Sequence, residues 1–293
     1  PSTIWHQRLA HVGLKDVCKI AQVTTGMAVK GSDDIRGREE DEELADVLDD
    51  GHRCDVCAMS KARKHARSKE AADHHKAKRP MERVFVDVNV MPVRSMDGFK
   101  YVMTMVDDYS NAPFVDFLAL KSDAVTVLGR FEAKYASVGK IEQWRTDNDS
   151  TITGTEMEAY LNMRAEQSEE GKRTHLEYTI PGNSYMNGRA ENAIKVLTSM
   201  TRCLMHQANF CKAMWVPCMR AAVYLRRLTL TERDGRELTL HERFFGWKPD
   251  LSHLRVFGCR AYVRLNVQGN KLDDRAKIGI LVGFEDDITA GYH

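Results

Sequence analysis

Long apolar runs, a disulfide pattern and a large net charge are all absent from this sequence of 293 residues. No stretch of about 18 consecutive apolar residues occurs, so the sequence predicts no membrane-spanning helix. The seven cysteines are odd in number and lack disulfide-scaffold spacing, which favours a reducing, intracellular compartment. The chain opens on Pro1 with neither a methionine nor a signal peptide, and we expect it to be a fragment of a longer polypeptide.

The net charge of only +1 hides a strong segregation of acidic and basic residues. Residues 33–50 contain ten acidic residues, whereas residues 52–83 contain ten Lys or Arg against four acids. Residues 189–227 contain seven Lys or Arg and the single acid Glu191. Such runs are most often solvated faces. Two basic blocks beside candidate metal-binding carboxylates nevertheless favour a polyanionic partner, with nucleic acid the first candidate.

Two pairs of metal-ligating residues lie in the first 80 residues. His6 and His11 are five residues apart, and Cys54 and Cys57 have the Cys-x2-Cys spacing that presents two thiolates to a tetrahedral Zn²⁺. A Cys-x2-Cys pair alone is also compatible with redox activity, and a histidine pair alone is usually structural. Together, in a segment with few apolar residues, the four predict a structural zinc site. The basic residues that follow predict a linker that tracks a phosphate backbone.

Apolar periodicity predicts an α/β domain after this segment. Strands are expected at 84–91, 101–106 and 114–119 as an antiparallel meander, followed by a helix capped by Ser122 and a strand at 141–146. Further along, the pattern predicts a helix at 155–165, a strand near 176–179 and a long helix from about Asn187. Three antiparallel strands followed by alternating helices and strands are typical of a ribonuclease-H-like domain.

Three carboxylates occupy matching positions in these elements. Asp87 lies in the middle of the first strand, Asp147 at the end of the fourth strand, and Glu191 in the first turn of the long helix. An ionised Asp87 in a buried strand needs a neutralising partner, either a simple one such as Arg83 or a metal ion. Converging carboxylates suit Mg²⁺ or Mn²⁺, and two such ions can promote an in-line phosphoryl displacement.

The sequence resembles the integrase of Copia-type LTR retrotransposon polyproteins over essentially its full length. The motifs that carry the resemblance are WHQRLAH at 5–11 with CDVC at 54–57, VDDYS at 106–110, WRTDN at 144–148, NGRAEN at 187–192, PDLSHLRVFGC at 249–259, KLDDR at 271–275 and ILVGF at 280–284. The resemblance implies a zinc-binding module and basic linker at 1–80, a ribonuclease-H-like catalytic core at 81–235, and a small β-rich, SH3-like region at 236–293.

The resemblance also implies a function and its residues. The expected activity is DNA strand transfer that inserts element cDNA into target DNA, with Asp87, Asp147 and Glu191 holding two Mg²⁺ or Mn²⁺ ions and a structural Zn²⁺ in the N-terminal module. The expected partners are DNA and a second copy of the chain, and no membrane is involved. The expected site of action is the nucleus. The expected DNA-binding residues are Lys61, Arg63, Lys64, Asn187, Arg189 and Lys195.

Some residues depart from the family pattern. Asp149 and Ser150 stand where two glycines are usual, and residues 184–186 replace Pro-Gln-Gln. These changes favour an alternative, a catalytically decayed zinc- and nucleic-acid-binding remnant. A cellular ribonuclease-H-like nuclease is disfavoured by the zinc module and the motif at 249–259.

Several other residues have structural explanations. Asp107 and Asp108 are predicted to form a turn, and Asp149 to lie outside the carboxylate group. Lys195 can pair with Glu191 one helical turn away or face DNA, and the two alternatives stay open. The side chains predicted to be buried are Trp215, Trp247, Cys203, Cys211, Cys218 and Cys259.

Overall fold

A computed structural model describes residues 2–28, 54–61, 77–147, 152, 154–166, 174–178, 188–233, 235–264, 274–284 and 293. The acidic run at 33–50 lies outside the described residues, as do Arg63, Lys64, Asp149 and Asn187. No helix in the described ranges is long and apolar enough to cross a membrane.

The helices and strands alternate along most of the chain. The helices are α1 (Ser2–Arg8), α2 (Leu14–Val23), α3 (Asp55–Lys61), α4 (Ala124–Lys134), α5 (Thr155–Glu166), α6 (Gly188–Ala208), α7 (Trp215–Arg227) and α8 (Leu240–Phe245). The strands are β1 (Arg83–Val90), β2 (Tyr101–Asp107), β3 (Pro113–Leu118), β4 (Gln143–Thr146), β5 (His175–Tyr178), β6 (Leu230–Arg233), β7 (Arg236–Thr239), β8 (Arg260–Arg264) and β9 (Ala276–Ile280). Short 3₁₀ turns precede α4 and α7, at Lys121–Asp123 and Lys212–Met214.

A five-stranded mixed sheet in the order β3-β2-β1-β4-β5 forms the centre of the molecule. The pairs β1–β2 and β2–β3 are antiparallel, whereas β1–β4 and β4–β5 are parallel. The predicted α/β class and antiparallel meander are therefore confirmed. One local detail is wrong: Ser122 lies inside a 3₁₀ turn instead of capping α4, because the Asp123 carboxylate accepts the Leu120 N–H at 3.2 Å and tightens the chain before the helix begins.

Both faces of this sheet are covered. Alternate residues of each strand point to opposite sides, so each strand contributes side chains to both layers. On one face, Val84 and Val86 pack in a core with α4, α5 and α8 that also contains the buried Trp144. On the other face, Phe85 contacts Ala190 of α6. The sheet thus presents β1 side chains directly to the first turn of α6, where Glu191 lies.

A second core joins segments that are far apart in sequence. Trp5 and Leu9 of the N-terminal segment pack in one cluster with side chains of α6 and α7 and with Leu254 and Phe257. Trp5 and Leu9 of the N-terminal segment are therefore buried against the rest of the chain. The boundaries at 80 and 235 stay predictions. The predicted β-rich region at 236–293 contains, among its described residues, the two-stranded antiparallel sheet β8–β9.

The burial predictions for Trp247 and Cys211 are wrong, and the prediction for Cys259 is met only in part. The side chain of Trp247 is 58% exposed, because Gly246 ends α8 in a left-handed conformation (φ 87°) and leaves the indole against the rings of His241 and Phe245 on the surface. Cys211 is exposed in the connection between α6 and α7, and Cys259 is only partly buried. The burial predicted for Trp215, Cys203 and Cys218 is confirmed.

Candidate active site and metal centre

The register of β1 and β4 brings Asp87 and Asp147 together. Val86 pairs with Thr146 in this parallel ladder. One residue further along both strands, Asp87 and Asp147 are neighbours, and paired residues of parallel strands point to the same face. Asp87 is half-buried within β1, and Asp147 is exposed just past the end of β4.

Glu191 approaches from α6, which packs over this face. Ala190 is fully buried against Phe85, and Phe85 lies two residues before Asp87 on the same side of β1. Burial raises the pKa of Asp87. Hydrogen bonds from the Asn89 side chain and the Val88 backbone oppose that rise, and the negative charges of Asp147 and Glu191 add to it. The three carboxylates therefore share one electrostatic neighbourhood.

These oxygen donors suit a hard divalent cation such as Mg²⁺ or Mn²⁺. Three neighbouring negative charges repel one another, and a cation between them removes that repulsion. The three carboxylates are neighbours, but they do not by themselves complete the coordination sphere of a metal ion. Among the described residues, the ligating side chains that lie close enough together to hold one ion belong to His6, His11, Cys54 and Cys57.

A groove runs from the carboxylates along α6. It has a volume of about 1120 Å³ and extends from Asp87 and Glu191 past Lys195 and Arg202 to Lys212. Lys195 and Glu191 form the ion pair that is one of the two predicted alternatives, at 3.6 Å; the Lys195 side chain is largely exposed and that of Glu191 partly exposed. Exposed pairs of this kind contribute little to stability, so Lys195 can exchange Glu191 for a phosphate. The groove joins a cluster of negative charge to a row of cations.

Asp107 forms the turn between β2 and β3, as predicted. Its buried carboxylate accepts the backbone N–H of Met81 at 2.8 Å and both the N–H and the hydroxyl of Ser110, at 2.7 and 2.6 Å. Burial raises its pKa to about 6, against the effect of these hydrogen bonds. These bonds fix the turn, and the carboxylate is fully buried.

Asp108 is the buried anchor of the same turn. Its fully buried carboxylate accepts the Ala77 N–H at 2.8 Å and both Nε and a terminal nitrogen of Arg83, at 2.9 and 2.5 Å. The guanidinium of Arg189 also donates to it and lies 5.5 Å from the ring centroid of Phe85. Arg189, predicted to bind DNA, is thus placed where it ties the start of α6 to the turn.

Replacing Asp108 by asparagine should lower the free energy of unfolding by about 3–5 kcal/mol, because it leaves Arg83 and Arg189 without their buried counter-charge. Urea denaturation followed by circular dichroism measures this loss. The matched control is Asp116→Asn, which breaks the exposed pair with Arg130 and should cost less than about 1 kcal/mol. Equal costs for the two substitutions would contradict the anchoring role of Asp108.

The two histidines and two cysteines of the N-terminal segment converge as the spacing predicts. Nδ1 of His11 lies 3.2 Å from Nε2 of His6 and 3.2 Å from Sγ of Cys54, and Sγ of Cys57 lies 3.3 Å from Nε2 of His6. All four donor atoms lie within 4.8 Å of one another. A tetrahedral zinc with two nitrogen and two sulfur ligands has donor separations of about 3.3–3.8 Å, so the group fits this ion.

A tight turn, not a continuous helix, brings the histidines together. After α1 ends, Ala10 and His11 adopt left-handed backbone conformations with φ of 53° and 62°. The His11 N–H donates to the His6 carbonyl at 2.7 Å, which folds His11 back over His6. Cys54 directly precedes α3, and Cys57 lies in its first turn.

Sequence reasoning missed two residues beside Asp87. Asn89 donates from its amide to the Asp87 carboxylate at 2.9 Å, and its spacing of two along β1 was a usable signal. Thr104 pairs directly with Asp87 across β1 and β2. It is fully buried, and its hydroxyl has no hydrogen-bond partner among the described residues. Only the strand register reveals Thr104.

The remaining predicted DNA-binding residues are largely not placed. Lys61 ends α3, and the structure describes its backbone alone. Arg63, Lys64 and Asn187 lie outside the described residues. Their contact with DNA stays a prediction.

No family model matches the sequence. Among curated proteins it is 27% identical over 289 residues to "Retrovirus-related Pol polyprotein from transposon TNT 1-94" of Nicotiana tabacum, covering 97% of this chain and 20% of that protein. The corresponding polyproteins from transposons RE1 and RE2 of Arabidopsis thaliana are 26% and 24% identical, each over 81% of this chain and 16% of theirs.

A solved structure is also similar, a chain in a simian T-cell lymphotropic virus intasome in complex with PP2A regulatory subunit B56 gamma. The TM-score is 0.48 with 14% identity, over 87% of this chain and 84% of that chain. The chain spans about a fifth or less of the length of the curated relatives. Those homologues are Pol polyproteins of plant transposons, and the chain is similar to one region of such a retrotransposon Pol polyprotein.

Proposed function

We propose that this chain is the integrase region of a Copia-type retrotransposon Pol polyprotein and catalyses DNA strand transfer. The observation that carries the proposal is the grouping of Asp87 on β1 and Asp147 at the end of β4 with Glu191 in the first turn of α6. The strand order β3-β2-β1-β4-β5 with α6 across one face fits a ribonuclease-H-like core. The similarity to Pol polyproteins over 97% of the chain supports the same assignment.

The carboxylates of Asp87, Asp147 and Glu191 would hold two Mg²⁺ or Mn²⁺ ions. When bound, such ions activate an attacking hydroxyl and stabilise the leaving oxygen of a phosphodiester. The chain itself supplies position: Asn89 orients the Asp87 carboxylate, and the buried Ala190 fixes the first turn of α6. In the reaction the 3′-hydroxyl of an element end attacks a target phosphodiester, forms a new P–O bond and releases a target 3′-hydroxyl.

The groove along α6 is the proposed path of the DNA end. Its cations Lys195, Arg202 and Lys212 follow the carboxylates in sequence along one side of the helix and its extension. Cations spaced in this way bind the phosphate backbone and add little base recognition. Element cDNA ends and target DNA are thus the proposed partners, and a homo-oligomer acting in the nucleus follows from the family resemblance.

The group of His6, His11, Cys54 and Cys57 would hold one structural Zn²⁺. All four ligand positions of a tetrahedral ion are filled by protein side chains, which is typical of structural and not catalytic zinc. The proposed role of this ion is to hold the N-terminal segment in the core that it shares with α6 and α7.

A joining assay tests the proposal. Purified protein with Mg²⁺ or Mn²⁺ should join a short duplex matching the element's end to plasmid DNA, detected as a labelled product on a gel. The matched control is the same duplex with a 3′-deoxy terminus, which lacks the attacking hydroxyl and should give no product. Failure of joining with both metals, with DNA binding retained, would instead support the inactive zinc- and nucleic-acid-binding remnant.

A further inference from the structure

Gln207, in the last turn of α6, contacts two segments that lie far from it in sequence. Its Oε1 lies 2.7 Å from Nε2 of His11, a residue 196 positions earlier. Its Nε2 donates to the carbonyl oxygen of Phe257 at 2.7 Å. One half-buried carboxamide therefore links the proposed zinc group, the α6 helix and the segment that follows α8.

The hydrogen-bond partners of Gln207 determine which atom of its carboxamide donates and which accepts. A carbonyl oxygen only accepts hydrogen bonds, so the Phe257 carbonyl must face the NH₂ of the Gln207 amide. That leaves Oε1 of Gln207 facing His11, and an amide oxygen requires an N–H there. Nε2 of His11 therefore carries the proton, and Nδ1 of His11 presents its lone pair toward His6 and Cys54.

The two histidines of the group are oriented by different parts of the molecule. Nδ1 of His6 lies 2.5 Å from the carbonyl oxygen of Val12, inside the N-terminal segment. His11 instead takes its orientation from Gln207 on α6. Partners of this kind fix the tautomer and ring direction of a metal-ligating histidine. His6 is thus set locally, whereas His11 is set only when the segment is docked on α6.

We propose that Gln207 is a positioning residue for the zinc centre. It selects the metal-binding nitrogen of His11 and so couples zinc binding to the docking of the N-terminal segment on α6. The inference rests on the proposed zinc occupancy of the group and not on DNA joining.

The surroundings hold Gln207 in this role. Gly258 follows Phe257 with φ of 81°, and a Cβ there would lie 2.5 Å from Cβ of Ala208, so the chain approaches the end of α6 as closely as only glycine allows. Further back on the same helix, Arg202 donates to the Ser60 carbonyl of α3 at 3.4 Å. Because α6 also carries Glu191 in its first turn, the zinc group is tied to the helix that bears a proposed catalytic carboxylate.

The test measures zinc affinity of the full chain by competition with a chromophoric chelator. Gln207→Leu should weaken zinc binding about 10–100-fold, because His11 loses the acceptor that orients it. Gln207→Glu keeps an oxygen for the His11 N–H but places a carboxylate oxygen, which cannot donate, against the Phe257 carbonyl, so its zinc affinity should fall less than that of Gln207→Leu. Gln7→Leu, at an exposed glutamine of α1, is the matched control and should leave the affinity unchanged.

A spectroscopic readout separates positioning from a general loss of packing. In cadmium-loaded protein with nitrogen-labelled histidine, His11 should coordinate through Nδ1 and His6 through Nε2. Coordination of His11 through Nε2, or equal zinc affinity of wild type and Gln207→Leu, would overturn the proposal. If the leucine variant fails to fold, Gln207→Met, which has a similar length and no oxygen for the His11 N–H, takes its place, and a wild-type zinc affinity of that variant would overturn the proposal.

Two further outcomes separate this inference from the proposed function. A wild-type chain that binds no zinc would remove both the zinc centre and the role of Gln207. A chain that binds zinc as expected, responds to the Gln207 substitutions and does not join DNA would support the positioning role while overturning strand transfer.

Discussion

Replacing Asp87 or Asp147 by asparagine, or Glu191 by glutamine, should each reduce DNA joining by at least about a hundredfold while the protein stays folded. The amide keeps the shape of the side chain and removes the charge that would hold the catalytic ions. Ion-mediated charge stabilisation is worth several kcal/mol, and each 1.4 kcal/mol or so is a factor of ten in rate. Joining of the end duplex to plasmid DNA measures the loss.

A matched control separates the site from charge in general. Asp116→Asn on β3 removes an aspartate that pairs with Arg130 at the surface, and joining should be unaffected. DNA binding by all four variants should keep the steep fall of affinity with salt that phosphate contacts produce. Joining that survives in Asp147→Asn and is lost in Asp149→Asn would show that the second catalytic aspartate is Asp149, which lies outside the described residues.

We do not expect unfolding to explain the loss of DNA joining in Asp87→Asn. This side chain is half-buried, and the charges of Asp147 and Glu191 act on it unfavourably. A neutral asparagine relieves that repulsion and keeps a partner for the amide of Asn89. The melting temperature of Asp87→Asn without divalent ions should therefore equal or exceed that of wild type, and a clear decrease would point to a structural role for the carboxylate.

The features that sequence predicts well here are local ones. The alternation of apolar residues around Asp87 sets both the strand and the face on which its carboxylate lies. The paired spacing of His6 with His11 and of Cys54 with Cys57 is similarly enough to predict that the four side chains meet. The signal for Asp87 lies in one short stretch of chain, and that for the zinc group lies in two short stretches, each with its own spacing.

The features that sequence does not predict depend on distant partners. Arg189 is part of a basic block, yet its guanidinium is taken up by the buried Asp108, 81 positions earlier. Trp247 is apolar, yet the left-handed Gly246 turns it out to solvent. Gln207 carries no motif at all, and its role emerges only when His11 and Phe257 are brought to the end of α6.

Removing zinc from the full chain should unfold the N-terminal segment and expose Trp5. Helices α1, α2 and α3 have seven, ten and seven residues, and helices this short are not stable alone in water. Structural zinc contributes about 10–16 kcal/mol in zinc-finger peptides, more than most domains have in reserve. Trp5 is 7% exposed and its indole N–H donates to the Ala28 carbonyl at 3.1 Å, so unfolding should shift its fluorescence to longer wavelength.

Substitutions identify the source of that signal. Cys57→Ser should abolish stoichiometric zinc binding and give the red-shifted emission without a chelator. Cys211→Ser, at an exposed cysteine outside the group, should bind one zinc and respond to the chelator like wild type. Trp5→Phe should remove most of the chelator-dependent shift. Trp144 lies in the other core, Trp247 is already exposed, and Trp215, which shares the cluster of Trp5, is anchored by the bond from its indole N–H to the Val93 carbonyl at 3.0 Å.

Zinc removal should leave the central sheet intact, because one face of the sheet packs in a core that is separate from the N-terminal segment, and only its other face, at Val102 and Phe117, shares a cluster with Trp5 among the described residues. Val84 and Trp144 pack with α4, α5 and α8 in a cluster that contains no described residue of the N-terminal segment. Trp5 and Leu9 belong instead to the cluster with α6 and α7. Hydrogen exchange should therefore accelerate at residues 5–11 and 55–61 on chelation, while the amides of β1 and β2 stay protected. Unchanged exchange at 5–11 would contradict the role of zinc in holding the N-terminal segment. Equal loss of protection in the sheet would contradict the restriction of that role to this segment.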